Sequence, residues 1–250
     1  MNLLLIDTKE IGVDGTVILG DRRADHIVRV LGAKPGDRIR AGIINGPVGT
    51  GEIVAVEEGR SGYARVTLRF FAEEGEAEVP AVDLILGLVR PIMLKKILAQ
   101  TASFGVGRIF LINANRVEKS FFRASLLQEE NYRPYLLHGL EQAKATFLPQ
   151  VSIHERFRPF VEDVIPTIAD SYGRMLVAHP GEAGDLKRAV GEQAAGRILL
   201  AVGPEGGWVD FEIDRFMEHA FVPVSLGRRV LRTDTAVVAL LAQLMLLQSE

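Results

Sequence analysis

The segment LLAVGPEGGWVDFEIDRF, residues 199–216, runs an apolar strand into a glycine turn and then into a helix that opens with Asp210, Glu212 and Asp214. Ligands of α/β sheets sit outside the carboxyl ends of strands, where glycine lets the main chain come close and a helix start offers free N–H groups. The common nucleotide patterns fail, since no G-x-G-x-x-G follows a strand and no G-x-x-x-x-G-K-[ST] occurs. On this segment alone a ligand site and an idle strand-to-helix turn both stay open. The acidic helix start disfavours a phosphate and suits a neutral or cationic ligand.

A second stretch repeats the arrangement. In FVPVSLGRRVLRTDTA, residues 221–236, an apolar strand reaches Gly227, a basic loop and a polar lead into a helix. Glycines at Gly203, Gly206, Gly207 and Gly227 let main chain close around a ligand, with Val202, Leu226 and Leu231 as apolar walls. Arg232 stands beside Asp234 just before the helix, which suits a fixed orienting role better than the loop position of Arg228. Cysteine is absent, which excludes disulfides, thiolate metal clusters and a thiol nucleophile, and is compatible with a reducing cytoplasm. His26, His138, His154, His179 and His219 lack pairing at ligand spacing, so no metal site is expected.

The elements that must position these turns divide the chain. Up to about Phe71, TVIL, DRIRAGII, GTGEIVAVEE and YARVTLRFF carry strand patterns separated by turn residues, and DRRADHIVRVLG inserts a short helix capped by Asp21 and ended by Gly32. EEGEAEVP, residues 73–80, has no apolar period and reads as a linker. Domains of residues 1–74 and 75–250 follow from it. Beyond the linker strands and helices alternate: VDLILGLV, a helix near Met93 to Phe104, RIFLI, a helix near Arg123 to Lys144, RMLVA, a helix near Glu182 to Val190, RILLAVG and FVPVSL. That order implies an α/β fold with a parallel sheet covered by helices. The last helix, from Thr235, is apolar nearly all round and is expected to bury itself in its own domain or against a partner.

With 250 residues, 48% of them hydrophobic, and a net charge of −3, the composition is that of a folded globular protein without a general affinity for polyanions. Neither an export leader nor an apolar run of the ~20 residues needed to span a bilayer is read in it. The charge is uneven along the chain. Between Arg22 and Arg40 six basic residues (Arg22, Arg23, Arg29, Lys34, Arg38, Arg40) stand against two acidic ones (Asp25, Asp37), as phosphate contacts or as an ordinary solvated face.

The paired stretches LLAVGPEGGW and VSLGRRVLRTDTA resemble the signature of the knotted SPOUT RNA methyltransferases, and within them the family that methylates N3 of a uridine in small-subunit (16S) ribosomal RNA. HIVRVLGAKPGDRI is similar to that family's PUA-like RNA-binding domain, and GLEQA to its mid-domain motif. The resemblance implies a trefoil knot, an amino-terminal PUA-like β-barrel, a homodimer, a cytoplasmic location, and a site for S-adenosyl-L-methionine (AdoMet) built from loops. The first of those loops is expected at VAHP, with Ala178 and His179, unless His179 is a turn histidine with no ligand. RNA contacts are expected from Arg22, Arg23, Arg29 and Arg38, and no membrane partner is.

Uracil N3 carries a proton that must leave before it attacks a methyl group, so the reaction needs a base or a donor that stabilises the forming anion. Arg232 is the candidate for stabilising charge; Glu205 and Asp234 are the local carboxylates, each equally able to cap a helix or hold an ion pair. The chain departs from the family at Gly32 and Ala145, where arginines are usual, at Phe104, usually glutamate, and at Asp234, also usually glutamate. The departures at Gly32 and Ala145 motivate a second reading, transfer to another RNA position such as a ribose 2′-hydroxyl. A ribosome assembly factor of the same fold without turnover is a third.

Overall fold

A computed structural model describes residues 2–58, 62–75, 77, 79–180, 184–191 and 196–248. The chain divides into two compact units, residues 1–79 with 137–148, and residues 80–136 with 149–250.

The first unit is built on five strands: β1 (Leu4–Ile6), β2 (Thr16–Leu19), β3 (Arg38–Ile43), β4 (Val48–Glu57) and β5 (Arg65–Ala72), ordered β1-β3-β4-β5-β2. All neighbours are antiparallel except β1 and β3, so the LLI run near the start, which the strand patterns above omit, forms an edge strand. In β5 the pleat sends Val66 and Leu68 into a core with Leu4, Ile6, Val17, Leu19 and Ile53 and leaves Arg65 and Arg69 outside. The expected helix forms as α1 (Arg22–Asp25), followed by a wider turn over His26–Val30. The side chain of Asp21 accepts from the Arg23 amide at 2.8 Å, and Gly32 ends the segment with φ +63°.

The second unit contains seven parallel strands: β6 (Val82–Gly87), β7 (Val106–Ile112), β8 (Gln150–His154), β9 (Tyr172–Ala178), β10 (Gly184–Asp185), β11 (Arg197–Val202) and β12 (Val222–Ser225), ordered β10-β12-β9-β11-β6-β7-β8. Central β6 is buried along its whole length, which is why it reads as an unbroken apolar run. Its helices are α2 (Pro91–Ser103), α4 (Phe157–Pro159), α5 (Ile165–Ile168), α6 (Leu186–Val190), α7 (Asp210–Glu218) and α8 (Thr233–Gln248). Helix α3 (Glu129–Ala143) belongs to this unit up to Leu136 and to the first from Leu137. It starts six residues after the expected Arg123, because residues 119–127 form two 3-10 turns. The start of the helix expected from Glu182 falls outside the described residues.

One charged side chain ties the amino ends of four adjacent strands. Asp83, fully buried near the start of β6, accepts from the Arg108 amide and Nε of β7 at 2.8 Å each, from Arg197 Nη2 of β11 at 2.5 Å and from the Tyr172 hydroxyl of β9 at 2.6 Å. Burial, and then the bond to Asp83, push the Tyr172 phenol well above its usual range. This cluster lies at the opposite strand ends from the glycine turns and fixes the sheet behind them.

Candidate functional site

At the carboxyl ends of β9, β11 and β12 the strands release three loops that face one cleft. Ala178 and His179 come from the first loop, Val202, Gly203, Glu205, Gly206 and Gly207 from the second, and Leu226, Gly227 and Leu231 from the third. Every residue expected to hold the cofactor therefore borders the same space. Sequence reasoning did not find the fourth wall, where Thr233, Ala236 and Leu240 of α8 close the cleft from below. Their i, i+3, i+7 spacing marks one helix face, but a helix apolar all round hides which face matters.

The glycine loop is held from outside by three neighbours. Arg90 donates from its amide and Nε to Glu205 Oε1 at 3.2 and 3.1 Å. Arg116 Nη1 donates to the Gly206 carbonyl at 2.5 Å. Glu212, turned inward and buried, accepts from the Val209 amide at 3.0 Å and the Asn115 amide at 2.7 Å. It thus caps its own helix, and only Asp210 and Asp214 of the acidic helix start remain exposed.

Two glycines are favoured by this geometry. Gly207 has φ +71°, a left-handed conformation that costs other residues about 1–2 kcal/mol. A Cβ at Gly203 would lie 3.1 Å from both Gly207 Cα and the Trp208 amide nitrogen, so a side chain there crowds the loop where it folds back on itself.

The first loop is tied to β12 by the His179 amide, which donates to the Val224 carbonyl at 2.9 Å. His179 Nδ1 is buried and has no hydrogen-bond partner among the described residues. Such a group is normally satisfied, and here it lies in a residue that lines the cleft.

The remaining site candidates separate. Glu205 lines the cleft, whereas Arg232 and Asp234 stand outside its lining at the entry to α8. They pair with each other at 3.6 Å, with Arg232 mostly exposed, and Asp234 Oδ1 accepts from the Thr235 amide at 3.1 Å.

The arginines of residues 22–40, in the first unit, all face carboxylates. Arg22 makes two bonds to Glu141, at 2.7 and 3.2 Å, and Glu141 is the buried glutamate of GLEQA. Arg23 is the most enclosed, its side chain 14% exposed and bonded to Glu10, Asp21 and the Leu5 carbonyl. Burial disfavours the Arg23 charge, but the bonds to Glu10 and Asp21 outweigh it and hold the guanidinium protonated. Arg29 pairs with Asp25 at 3.3 Å, Arg38 with Glu52 at 3.1 Å, and Arg40 with Glu73. Arg22, Arg29 and Arg38 remain more than half exposed and Arg23 does not.

Comparison with known proteins identifies the family. Residues 76–245 match the model of the RNA methyltransferase domain family. A ribosomal RNA small subunit methyltransferase E of Treponema pallidum is 34% identical over 243 residues, covering 96% of this chain and 88% of that protein. A second of that name, methyltransferase E 1 of Borreliella burgdorferi, is 25% identical, covering 96% and 95%. The fold matches a ribosomal RNA small subunit methyltransferase E from Neisseria gonorrhoeae, solved bound to S-adenosyl methionine, with a TM-score of 0.76, 22% identity and coverage of 99% and 98%. The match to the domain model over most of the chain and the full-length relative at 34% identity agree: the chain belongs to the RNA methyltransferase family.

Proposed function

We propose that this protein uses AdoMet to methylate small-subunit ribosomal RNA, at N3 of a uridine. The observation that carries the reading is the convergence of three loops on one cleft beyond the carboxyl ends of β9, β11 and β12, in a member of an RNA methyltransferase family. AdoMet supplies, when bound, an electrophilic methyl group on a cationic sulfonium. The residues present fit it. Leu226, Leu231 and Leu240 are apolar walls for an adenine ring, the loops offer main-chain groups, and the unpartnered His179 Nδ1 is one a ligand's polar atom would satisfy.

The chain's residues then divide the work. Of the two local carboxylates only Glu205 lines the cleft, so Glu205 is the proposed acceptor of the N3 proton, oriented by Arg90. Arg232, exposed at the entry of α8 and steadied by Asp234, is placed by this reading against the charge that develops on the base or the neighbouring phosphate. The exposed arginines Arg22, Arg29 and Arg38 are the proposed phosphate contacts of a PUA-like first unit.

The same reading carries a trefoil knot in the second unit, a homodimer and a cytoplasmic location. The exposed apolar side chain of Leu246 near the end of α8 supports the dimer. No helix among the described residues is long and apolar enough to cross a membrane.

The test is nucleoside mass spectrometry of in vitro-transcribed small-subunit ribosomal RNA incubated with the protein and AdoMet. N3-methyluridine is expected. A ribose-methylated product would move the reaction to another RNA position, and no methylated nucleoside would refute enzymatic transfer.

A further inference from the structure

Phe211, in the first turn of α7, is 39% exposed although it is a phenylalanine on a rigid element. The guanidinium carbons of Arg158 and Arg215 lie over its ring, 4.9 and 5.3 Å from the centroid. Beneath them Phe157 supports the ring at a centroid distance of 6.5 Å and in turn packs on the buried Trp208 at 6.3 Å. Arg215 shares its charge with Glu218 at 2.6 Å. Arg158 is exposed and has no ion-pair partner among the described residues.

Ring surface of Phe211 left exposed beside two guanidinium groups matches what unpaired nucleotides use: a stacking surface for the base and, at Arg158, a positive charge for the phosphate, which the exposed Asp210 and Asp214 keep off the helix start itself. Neither a buried apolar partner nor an acidic one would gain as much from it. The location agrees. Phe211 follows Gly207 of the cleft wall by four positions, so the platform lies within about 14 Å of it on any chain path.

The geometry points to Phe211, flanked by Arg158 and Arg215, as a stacking platform for an unpaired RNA nucleotide next to the one that enters the cleft. This inference rests on the RNA methyltransferase reading and names a contact on the methyltransferase unit itself, separate from the arginines of the first unit.

The test uses the full chain and in vitro-transcribed small-subunit ribosomal RNA, with AdoMet affinity measured in parallel. Phe211→Ala is expected to weaken RNA binding by about tenfold, the effect of losing one stacked base. Arg158→Gln is expected to weaken it about threefold and to flatten its salt dependence. Phe211→Trp is expected to bind RNA at least as well as the unaltered protein. In all three, AdoMet affinity and kcat at saturating RNA stay unchanged, while KM for RNA rises in Phe211→Ala and Arg158→Gln.

Unaltered RNA affinity in both Phe211→Ala and Arg158→Gln would overturn the platform. So would a Phe211→Ala loss matched by an equal loss of AdoMet affinity with Arg158→Gln unaffected, since that is a disturbed loop. If the unaltered protein neither binds nor methylates the RNA, the functional reading fails and the platform with it. If it does both and the variants behave like it, the platform alone fails.

Discussion

In the cleft of the second unit, main-chain and apolar groups border much of the open space beside His179, Glu205 and Arg229, while Arg90, Arg116 and Glu212 turn toward the glycine loop and hold it in place. In residues 22–40 of the first unit each arginine meets a carboxylate, and those of Arg22, Arg23, Arg38 and Arg40 come from Glu141, Glu10, Glu52 and Glu73. The contrast teaches that a local excess of charge along a sequence is not an excess in space. Glycine turns at strand ends keep their meaning after folding because their function depends on main chain. Arginines do not, because long side chains find partners far along the chain.

The comparison is broken most sharply at its single acid. Glu205→Gln is expected to lower kcat by about 100-fold, the lower end of what a positioned base contributes, with AdoMet affinity held. A drop confined to AdoMet affinity would make Glu205 a loop anchor instead. Next comes the loop itself. Gly203→Val forces a side chain against Gly207 and Trp208, an overpacking of about 2 kcal/mol that the loop relieves only by opening. About thirtyfold weaker AdoMet binding follows, with RNA affinity unchanged.

On the other side of the contrast, Arg23→Ala should act on stability and not on the cleft. Removing the enclosed guanidinium leaves Glu10 and Asp21 facing each other, and a loss of ~2 kcal/mol is expected. For a chain of this size that is a melting temperature lower by roughly 4–8 °C, measured by calorimetry, with AdoMet affinity intact.

The same cluster gives a pH signature. The Arg23 side chain holds the Glu10 carboxyl below its usual range; at Asp21 burial pulls upward, and the bonds from Arg23 outweigh it. Both folded values are depressed, so their stabilisation is present above the ordinary carboxylate range near about 4 and is lost as pH falls through the folded values. Acid titration of stability should therefore fall less steeply in Arg23→Ala than in the unaltered protein. Smallest of all, Arg38→Ala removes an exposed pair, and its stability is expected to change by less than about 0.5 kcal/mol.

Much of this architecture was legible in the residues. Buried parallel strands such as VDLILG and RILLAV announce themselves as apolar runs, and Asp21 and Gly32 bound their helix as their chemistry dictates. The edge strand Gln150–His154 alternates polar and apolar over only five residues, and residues 157–171 break into short turns around Pro159 and Pro166. Neither offers a period to read. Asp83 stands as a lone charge in an apolar strand, and its partners Arg108, Tyr172 and Arg197 lie 25, 89 and 114 residues away. The same distance in sequence hid Glu141 from Arg22 and Arg116 from the glycine loop, since side-chain pairing across a fold leaves no local pattern.

The central claim is that the three-loop cleft is the AdoMet site, and isothermal titration of the purified protein with AdoMet tests it most directly. One saturable site per chain is expected, weakened by Gly203→Val and unchanged by Arg23→Ala. No heat of binding at millimolar AdoMet, or an isotherm that Gly203→Val leaves unchanged, would contradict it.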